Sequence, residues 1–267
     1  MARRSSPLFE LRNPLPRTTS LLLGLVMPAV VLGAWCVASY GRLAPPDFLP
    51  SPSEVVRGTL QLFIDYDLAS AILVSTQRIG VAFLLAAAVA LPLGVLMGAF
   101  EPINRLFEPI MAPLRYMPIS AFIPLLILWF GIYESQKIAF LFLGVFVYLL
   151  PVVVTAIRAV PDELVQTGLT LGASRLQVIR TILLPAAMPE IFDSFRVMNA
   201  ISWTYVILAE AINPGHGLGY MVELAYKHQK ASWSFAGLLV IGGIGLLTDL
   251  LIRMVSGVMF RWREKPA

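Results

Sequence analysis

The chain has 267 residues, of which 58% are hydrophobic and only 13% are charged, and its mean hydropathy is +0.78. Ordinary soluble domains carry about 25% charged residues, so this composition excludes a soluble protein and predicts an integral membrane protein. The formal net charge of +4 does not indicate nucleic-acid binding, because the basic residues are dispersed along the chain. The single cysteine, Cys36, cannot form an internal disulfide and does not indicate a redox compartment.

Several apolar runs approach or exceed the roughly 18 residues that a helix needs to cross a bilayer. The third run contains Pro113, Pro118 and Pro124. Prolines at membrane depth bend a helix and free backbone carbonyl groups, so this run either lines a pathway or is a kinked packing helix. The sequence predicts an all-α integral membrane fold with six spans, at about Ser20–Tyr40, Leu68–Met97, Ile110–Phe130, Gln136–Ile157, Ile191–Ala211 and Phe235–Val255. Residues 20–257 form one predicted transmembrane domain between tails at 1–19 and 258–267.

Lysines and arginines in the loops predict the orientation, because cytoplasmic loops carry an excess of them. With six spans both termini lie on one side, and eleven of these residues fall there against five on the other side. Both termini are therefore expected in the cytoplasm. The eleven are Arg3, Arg4, Arg12, Arg17, Arg105, Arg158, Arg175, Arg180, Arg261, Arg263 and Lys265, and the five are Arg42, Arg57, Lys137, Lys227 and Lys230.

Two segments on the predicted outer face are not simple loops. Leu43–Pro52 is rich in proline and is expected to lie extended along the membrane surface, after which Ser53 is expected to cap a short amphipathic helix that ends near Ile64. Asn213–Tyr220 reads NPGHGLGY and is predicted to be a glycine-rich turn. Its spacing does not indicate a nucleotide-binding loop, because no strand precedes it.

Charged residues within the spans are costly in lipid, at about 2.5–3.5 kcal/mol on insertion scales, so they are expected to face protein or water. Arg78 and Glu210 either line a polar route or pair with one another or with backbone groups. Arg196 and Asp249, near the cytoplasmic ends of their spans, are expected to extend towards the interface. The candidates for a solute pathway are Arg78, Arg115, Pro118, Trp203 and Glu210.

No motif for catalysis is present. The chain contains no G-x-x-x-x-G-K-[ST] phosphate loop, no G-x-S-x-G elbow and no H-E-x-x-H pair. Its two histidines, His216 and His228, are predicted to be ordinary solvated residues of the outer side. We therefore expect neither an enzyme active site nor a metal or cofactor site in this chain.

A patterned polar segment, Gln166–Pro185 (QTGLTLGASRLQVIRTILLP), separates the fourth and fifth spans. Just before it, Pro161, Asp162 and Glu163 are typical of a helix start, because acids are favoured at the positive end of a helix. Gly172 is typical of a sharp backbone turn. The segment therefore begins as a short helix with a hinge after it.

Its second half is predicted to be another short helix. Ser174 and Gln177 form an S-x-x-Q capping box, and Pro185 is expected to end the helix. The orientation above places this helix–turn–helix in the cytoplasm, where another protein could bind it. A surface helix that only connects two spans is the simpler alternative.

The spacing of this segment resembles the loop signature of bacterial ABC importer permeases, which is EAA, three residues, G, nine residues, I, one residue, LP. Gln166, Thr167 and Gly168 occupy the EAA positions, and the later positions are held by Gly172, Ile182, Leu184 and Pro185. The triplet departs from the pattern because Gln166 replaces the acid, so a salt bridge at that position does not carry over. The blocks FLPSPSEV, IPLLILWFGIYESQKI and GLGYMV are similar to the taurine, sulfonate and nitrate branch of these permeases.

The resemblance implies a type I importer permease (MetI-like) fold whose coupling loop, residues 158–190, docks into a groove on a separate ATP-binding subunit. Leu171, Leu176, Ile179 and Ile182 would offer an apolar face, with Arg175 and Arg180 at its rim. The coupling residues implied by the resemblance are Gln166, Thr167, Gly168, Leu171, Gly172, Ala173, Ser174, Arg175, Ile179, Ile182, Leu184 and Pro185.

The resemblance also implies partners and a location. A homodimer with two ATP-binding subunits and a periplasmic solute-binding protein is expected in a bacterial inner membrane, although a heterodimer with a second permease is also open. ATP and Mg would be bound by the ATP-binding subunits, and the solute would be small and anionic. The alternative is a secondary transporter that works without an ATPase, which would more often show paired halves and interior ionisable relays.

Overall fold

The computed structural model describes residues 16–212 and 215–261, and in these ranges it contains helices and no strand. This confirms the predicted all-α class. The predicted tails lie largely outside the described residues, as do Asn213 and Pro214. The helices are α1 (Arg17–Tyr40), α2 (Pro52–Asp65), α3 (Leu68–Ala99), α4 (Glu101–Leu114), α5 (Ile123–Phe130), α6 (Glu134–Arg158), α7 (Asp162–Thr170), α8 (Arg175–Val178), α9 (Leu184–Ala211), α10 (Leu218–Lys227) and α11 (Ala231–Met259), with a 3₁₀ turn at Ile119–Phe122 and a π-helical turn at Ile179–Leu183.

Four of the described helices, α1, α3, α6 and α11, are long and apolar enough to cross a membrane. The α4–α5 pair makes a fifth span if its two parts are counted together. Helix α9 has 28 residues, but polar side chains such as Arg196 and Asn199 make it less apolar than these. The all-helical membrane fold is thus established, while the count of six spans stays a prediction.

The third predicted span, Ile110–Phe130, is not one helix. Helix α4 begins earlier, at Glu101, and is separated from the Ile119–Phe130 helix by a bend of 93°. Pro118 lies at this bend in an extended conformation, and proline also disfavours helical backbone in the residue before it. Pro113 lies inside α4 and Pro124 in the first turn of α5, so it is at Pro118 that the helix is broken rather than merely kinked.

Helices α3 and α6 form the centre of the fold through small residues. A Cβ atom at Gly94 would lie 2.7 Å from Val153, and one at Gly98 would lie 2.7 Å from Ile157. The Gly94–Gly98 spacing therefore allows close backbone approach, as in other GxxxG helix pairs. The contacts advance along both helices in the same direction, so α3 and α6 run parallel. The α4–α5 pair is the connection in the chain that leads from the end of α3 back to the start of α6.

Helix α9 packs against both α6 and α11. A Cβ atom at Gly144 of α6 would lie 2.7 Å from the Tyr205 ring of α9. Further along, the Arg196 side chain pairs with Asp249 of α11, and the Trp203 ring lies 3.5 Å from the Cβ position of Gly245. Helices α9 and α11 are thus antiparallel, and the C-terminal end of α9 lies where α3 and α6 begin. The 158–190 segment lies at the opposite end.

Helix α2 begins two residues earlier than predicted. The capping residue is Ser51, not Ser53: the Ser51 Oγ accepts from the Glu54 N–H, and the Glu54 carboxylate accepts from the Ser51 N–H at 2.7 Å. Pro52 occupies the first helical position, where a missing N–H costs nothing. The S-x-x-E capping box therefore determines the start of this helix.

Helix α1 lies at the edge of the molecule with its apolar side chains exposed. No residue of its most apolar window is buried, and it attaches mainly through Trp35, which stacks on Phe235 and donates to the Pro50 carbonyl at 2.9 Å. A helix this apolar and this exposed is suited to a lipid environment.

Candidate functional site

The 158–190 segment forms the predicted helix–turn–helix at one end of the molecule. Helix α7 begins at Asp162 after Pro161, with Asp162 and Glu163 in its first turn. It ends in a Schellman motif: the Ala173 N–H donates to the Gly168 carbonyl, and the Gly172 N–H donates to the Leu169 carbonyl, both at 3.0 Å.

Gly172 provides the turn. Its φ of +87° is in the left-handed region, and apart from its own chain neighbours no atom of residues 16–212 and 215–261 lies within 4 Å of an added Cβ position. A side chain at Gly172 would therefore meet no neighbour among the described residues, but it would strain the turn and project from the surface. Ser174 then starts α8 with the predicted capping box, in which the Ser174 N–H donates to the Gln177 Oε1 at 2.7 Å.

Pro185 does not end the second helix, contrary to expectation. Helix α8 continues through the π-helical turn at 179–183 into α9, so the chain is helical from Arg175 to Ala211. Proline inside a helix removes a hydrogen bond and crowds the carbonyl of the fourth preceding residue. The π-helical turn lies directly before Pro185 and widens the helix there: the Leu184 N–H bonds back to the Ile179 carbonyl, five residues away.

The exposed face of the segment differs in part from the predicted one. Leu171 is 83% exposed and Leu176 is 55% exposed. Ile179 and Ile182 are instead half-buried against the core, and Ile182 packs on Gly168, where a Cβ atom would lie 2.5 Å away.

The remaining coupling candidates divide into exposed and packed residues. Gln166 and Thr167 are exposed on α7, and the Thr167 hydroxyl donates to the Glu163 carbonyl at 2.6 Å. Leu164 and Leu169 are also exposed and enlarge the apolar surface of the segment. The sequence analysis did not include them in the predicted apolar face. Arg175, Arg180 and Pro185 are exposed, whereas Ala173 and Leu184 are half-buried.

A buried charge cluster lies at the opposite end of the molecule. The Arg78 guanidinium donates from Nη1 to Glu210 Oε1 at 2.6 Å and to the His216 carbonyl at 2.7 Å. Its Nε and Nη2 donate to the two oxygens of Glu134, both at 2.6 Å. Arg78 and Glu210 therefore pair with one another, which was one of the two interpretations open from the sequence.

The Glu210 carboxylate is enclosed by hydrogen-bond donors. The Ser75 hydroxyl lies 2.7 and 2.9 Å from its two oxygens, and the Gly219 N–H donates to it at 2.8 Å. A Cβ atom at Gly217 would overlap this carboxylate. Gly217 and Gly219 thus make room for Glu210. Leu218 to Tyr220 are the first turn of α10, a helix that the sequence analysis did not predict.

Glu134, Lys137 and Ser75 belong to this cluster and were not identified as site residues. The Lys137 Nζ lies 3.6 Å from Glu134, and its side chain is 3% exposed. The available signal was the E-x-x-K spacing at the start of the fourth span, which places the two side chains on one face of a helix.

The other pathway candidates lie elsewhere. Arg115 directly follows α4, and its Nη2 lies 2.6 Å from the Glu108 Oε1. Pro118 is exposed at the bend that comes next in the chain. Trp203 is buried against α11, where its Nε1–H donates to the Thr248 hydroxyl at 3.1 Å. The structure therefore brings together only Arg78 and Glu210 of the five candidates.

Two charged side chains near Trp203 form a further ion pair between α9 and α11. Arg196 contacts Asp249 through two hydrogen bonds, at 2.7 and 3.0 Å, so these residues pair rather than extend separately towards the interface. They line a mostly apolar groove of about 820 Å³ between α9 and α11. Among the described residues, no group of three or more His, Cys, Asp or Glu side chains is placed to hold a metal ion.

Comparison with known proteins identifies the fold and the family. Residues 90–260 match the family described as binding-protein-dependent transport system inner membrane component. The inward-facing MetNI methionine ABC transporter is structurally similar, with a TM-score of 0.64 and 19% identity, over 76% of this chain and 98% of that chain. An amino acid ABC transporter is similar with a TM-score of 0.56 and 14% identity, over 75% of this chain and 97% of that chain.

Curated relatives match nearly the whole chain. The taurine transport system permease protein of Escherichia coli (strain K12) is 31% identical, covering 94% of this chain and 92% of that protein. A putative aliphatic sulfonates transport permease protein of Bacillus subtilis (strain 168) is 31% identical, over 90% of this chain and 87% of that protein. A nitrate import permease protein of Synechocystis sp. is 28% identical, over 98% of this chain and 96% of that protein.

These matches favour the importer permease over the secondary transporter, since the relatives named are permease proteins and the similar structures are ABC transporters. A permease of this kind works with an ATPase and a solute-binding protein. The chain belongs to the binding-protein-dependent transport system inner membrane component family and is a multi-pass inner-membrane permease subunit of an ABC importer.

Proposed function

We propose that this chain forms the solute route of an ATP-driven importer for a small anion of the sulfonate or nitrate kind. The relatives reported above are named as transport or import permeases for taurine, aliphatic sulfonates and nitrate. Taurine and alkanesulfonates share a sulfonate group, and nitrate likewise presents several oxygens around a single negative charge. These solutes thus share a small oxoanion group.

The observation that carries the coupling role is the exposed two-helix surface of the 158–190 segment. Leu171 and Leu176 project from it, and Arg175 and Arg180 flank them. Apolar side chains with flanking charges are what a docking helix offers to a groove on another protein. Since α8 continues into α9 without a break, movement of the docked helix would be transmitted directly to a membrane helix.

We propose a homodimer, two ATP-binding subunits that bind ATP and Mg, and both termini in the cytoplasm. One chain carries one set of spans and no phosphate loop of its own, so a complete route and the hydrolysis of ATP both require further subunits. We expect the chain itself to have no enzymatic activity and to bind no nucleic acid.

The periplasmic solute-binding protein would dock at the opposite end. A groove of about 850 Å³ lies there between Phe48 and the α10–α11 turn, lined by Lys227, His228 and Lys230. The hydrogen bond from Lys227 to Glu223 raises the pKa of the Lys227 ammonium above its ordinary value. Asp47 also lines the groove, so Lys227 and Lys230 outnumber the carboxylate among its lining residues. An excess of positive charge would suit an acidic patch on the binding protein.

The test is co-purification of the tagged chain with a candidate ATP-binding subunit encoded beside it. Gly172→Asp should abolish co-purification, because it adds a side chain and a charge at the turn between the two helices. Gly215→Asp is the matched control, since Gly215 is an exposed glycine at the other end with nothing within 4 Å of its Cβ position.

Three outcomes are informative. Loss of the ATPase with Gly172→Asp only, with all variants folded in the membrane, supports the docking role. Retention with every variant would show that Gly172 is not at the interface. No association of the wild-type chain with any ATP-binding subunit would refute the proposed assembly.

A further inference from the structure

Arg78 contacts two carboxylates that differ in how firmly they are held. Glu210 is fully buried, and Ser75 and the Gly219 N–H bind its oxygens as well. Glu134 has a side chain that is 60% exposed, and it contacts the two cations Arg78 and Lys137. Glu210 is therefore a fixed part of the fold, whereas Glu134 can leave Arg78 by a side-chain rotation into solvent.

Departure of Glu134 would leave an anion-binding arrangement. The Nε and Nη2 of Arg78 form a fork of two parallel donors, a geometry that matches two oxygens of one planar or tetrahedral group. Lys137, buried beside it, adds a second positive charge. The cluster consists of Arg78, Lys137, Glu134 and Glu210. Without Glu134 it would keep two cations and one carboxylate, so the net charge of the cluster would change from zero to positive.

A cavity lies where Glu134 and Arg78 meet. Its volume is about 390 Å³, within the roughly 300–1,000 Å³ typical of small-ligand sites. Besides the ion pair it is lined by the apolar Val74, Val81 and Ile138, and by the polar residues Gln77, which is exposed, and His216. The apolar side chains would accommodate a short alkyl group, and the Gln77 amide could donate to an oxygen.

We propose that Glu134 occupies the binding position of the transported anion, and that a small oxoanion displaces it from the Arg78 fork beside Lys137. This inference rests on the proposed function for the class of solute, but its binding step does not require the ATPase. Glu134 is then an internal competitor that keeps the two cations paired when no solute is present, and Glu210 holds Arg78 in position for either partner.

The experiment is equilibrium binding to the purified full chain in lipid nanodiscs. Sodium methanesulfonate and sodium nitrate are the probes, and sodium chloride is the control, because a single spherical ion cannot match both donors of the fork as two separate oxygens do. Methanesulfonate carries an alkyl group and nitrate does not, so the pair also tests the apolar wall.

Glu134→Gln should tighten binding of the oxoanions by about tenfold, the factor expected when a competitor that fills a site nine-tenths of the time is removed. Glu108→Gln is the matched control: it neutralises the carboxylate of a separate ion pair, between Glu108 and Arg115, that is also 2.6 Å long, and it should change nothing. Val81→Trp fills the cavity without altering any ion pair and should abolish binding.

Unchanged oxoanion affinity in Glu134→Gln and Val81→Trp would overturn the site, as would equal tightening for chloride. If either result were found while the wild-type transporter still showed ATP-dependent uptake, the site would be refuted and the importer function would stand. The predicted binding changes in a chain that never associates with an ATP-binding subunit would support the site and refute the proposed assembly.

Discussion

At the residue scale, Arg78 shows how a charge is accommodated within a membrane helix. An isolated charge there would cost about 2.5–3.5 kcal/mol. The structure offsets this cost with two carboxylates and a backbone carbonyl, and the Glu210 carboxylate is in turn saturated by Ser75 and the Gly219 N–H. The environment of Arg78 is therefore set by partners from three other parts of the chain.

The two partners of this buried pair should not be equally important for stability. Arg78→Gln leaves the Glu210 carboxylate buried without a cation and should cost about 3–5 kcal/mol. Glu210→Gln should cost less, because Arg78 keeps Glu134 and the amide oxygen can still accept a hydrogen bond. Unfolding in mixed micelles, followed by tryptophan fluorescence, measures both, and an equal or reversed order would contradict this account.

At the scale of elements, the 158–190 segment is specified by local interactions. The Schellman turn at Gly172 and the capping box at Ser174 each use residues within six positions of one another. Local hydrogen bonds of this kind can be predicted from spacing alone, which is why the helix–turn–helix prediction was confirmed. The π-helical turn carries no such signature, and the continuation past Pro185 was missed.

Removal of the cap should loosen the second docking helix. Ser174→Ala should destabilise the start of α8 by about 1 kcal/mol and weaken association with the ATP-binding subunit. Ser194→Ala is the matched control, because Ser194 is a serine inside α9 whose hydroxyl bonds to the Glu190 carbonyl of its own helix. Hydrogen exchange of the 174–178 amides reports the fraying, and equal exchange in both variants would count against the cap.

The α3–α6 contact should tolerate no side chain at its glycines. Gly94→Ala places a methyl group 2.7 Å from the stiff, β-branched Val153 and should destabilise the protein by about 1–3 kcal/mol. Gly80→Ala in the same helix has nothing within 4 Å and should be neutral or stabilise by up to about 1 kcal/mol. Chemical unfolding compares the two, and similar values would show that α3 and α6 can move apart without cost.

At the scale of the whole molecule, long helices join the two ends to which we assign docking and solute contact. Helix α9 links them, with the 158–190 segment at its start and Glu210 near its end, about 40 Å apart for a helix of this length. Docking on one side and solute contact on the other would thus act on the two ends of one rigid element.

The two ends should lie on opposite sides of the membrane. In a Cys36→Ser background, Leu171→Cys should react with a membrane-impermeant maleimide only in inside-out vesicles. Tyr226→Cys should react only in intact spheroplasts. The two native side chains are 83% and 81% exposed, so access within the chain is nearly equal, and labelling of both from one side would contradict the proposed orientation.

The sequence by itself determined the membrane class, the all-helical fold, four long apolar helices, the family and the capped turn of the 158–190 segment. Each depends on composition, on periodic apolar runs or on residues close together in the chain. The tertiary structure decided that the third run bends by 93°, that Ile179 and Ile182 face the core, and that Glu134, Lys137 and Ser75 surround Arg78. The charge cluster in particular depends on side chains far apart in the chain meeting in space, and one chain's residue spacing does not encode which distant charges will pair.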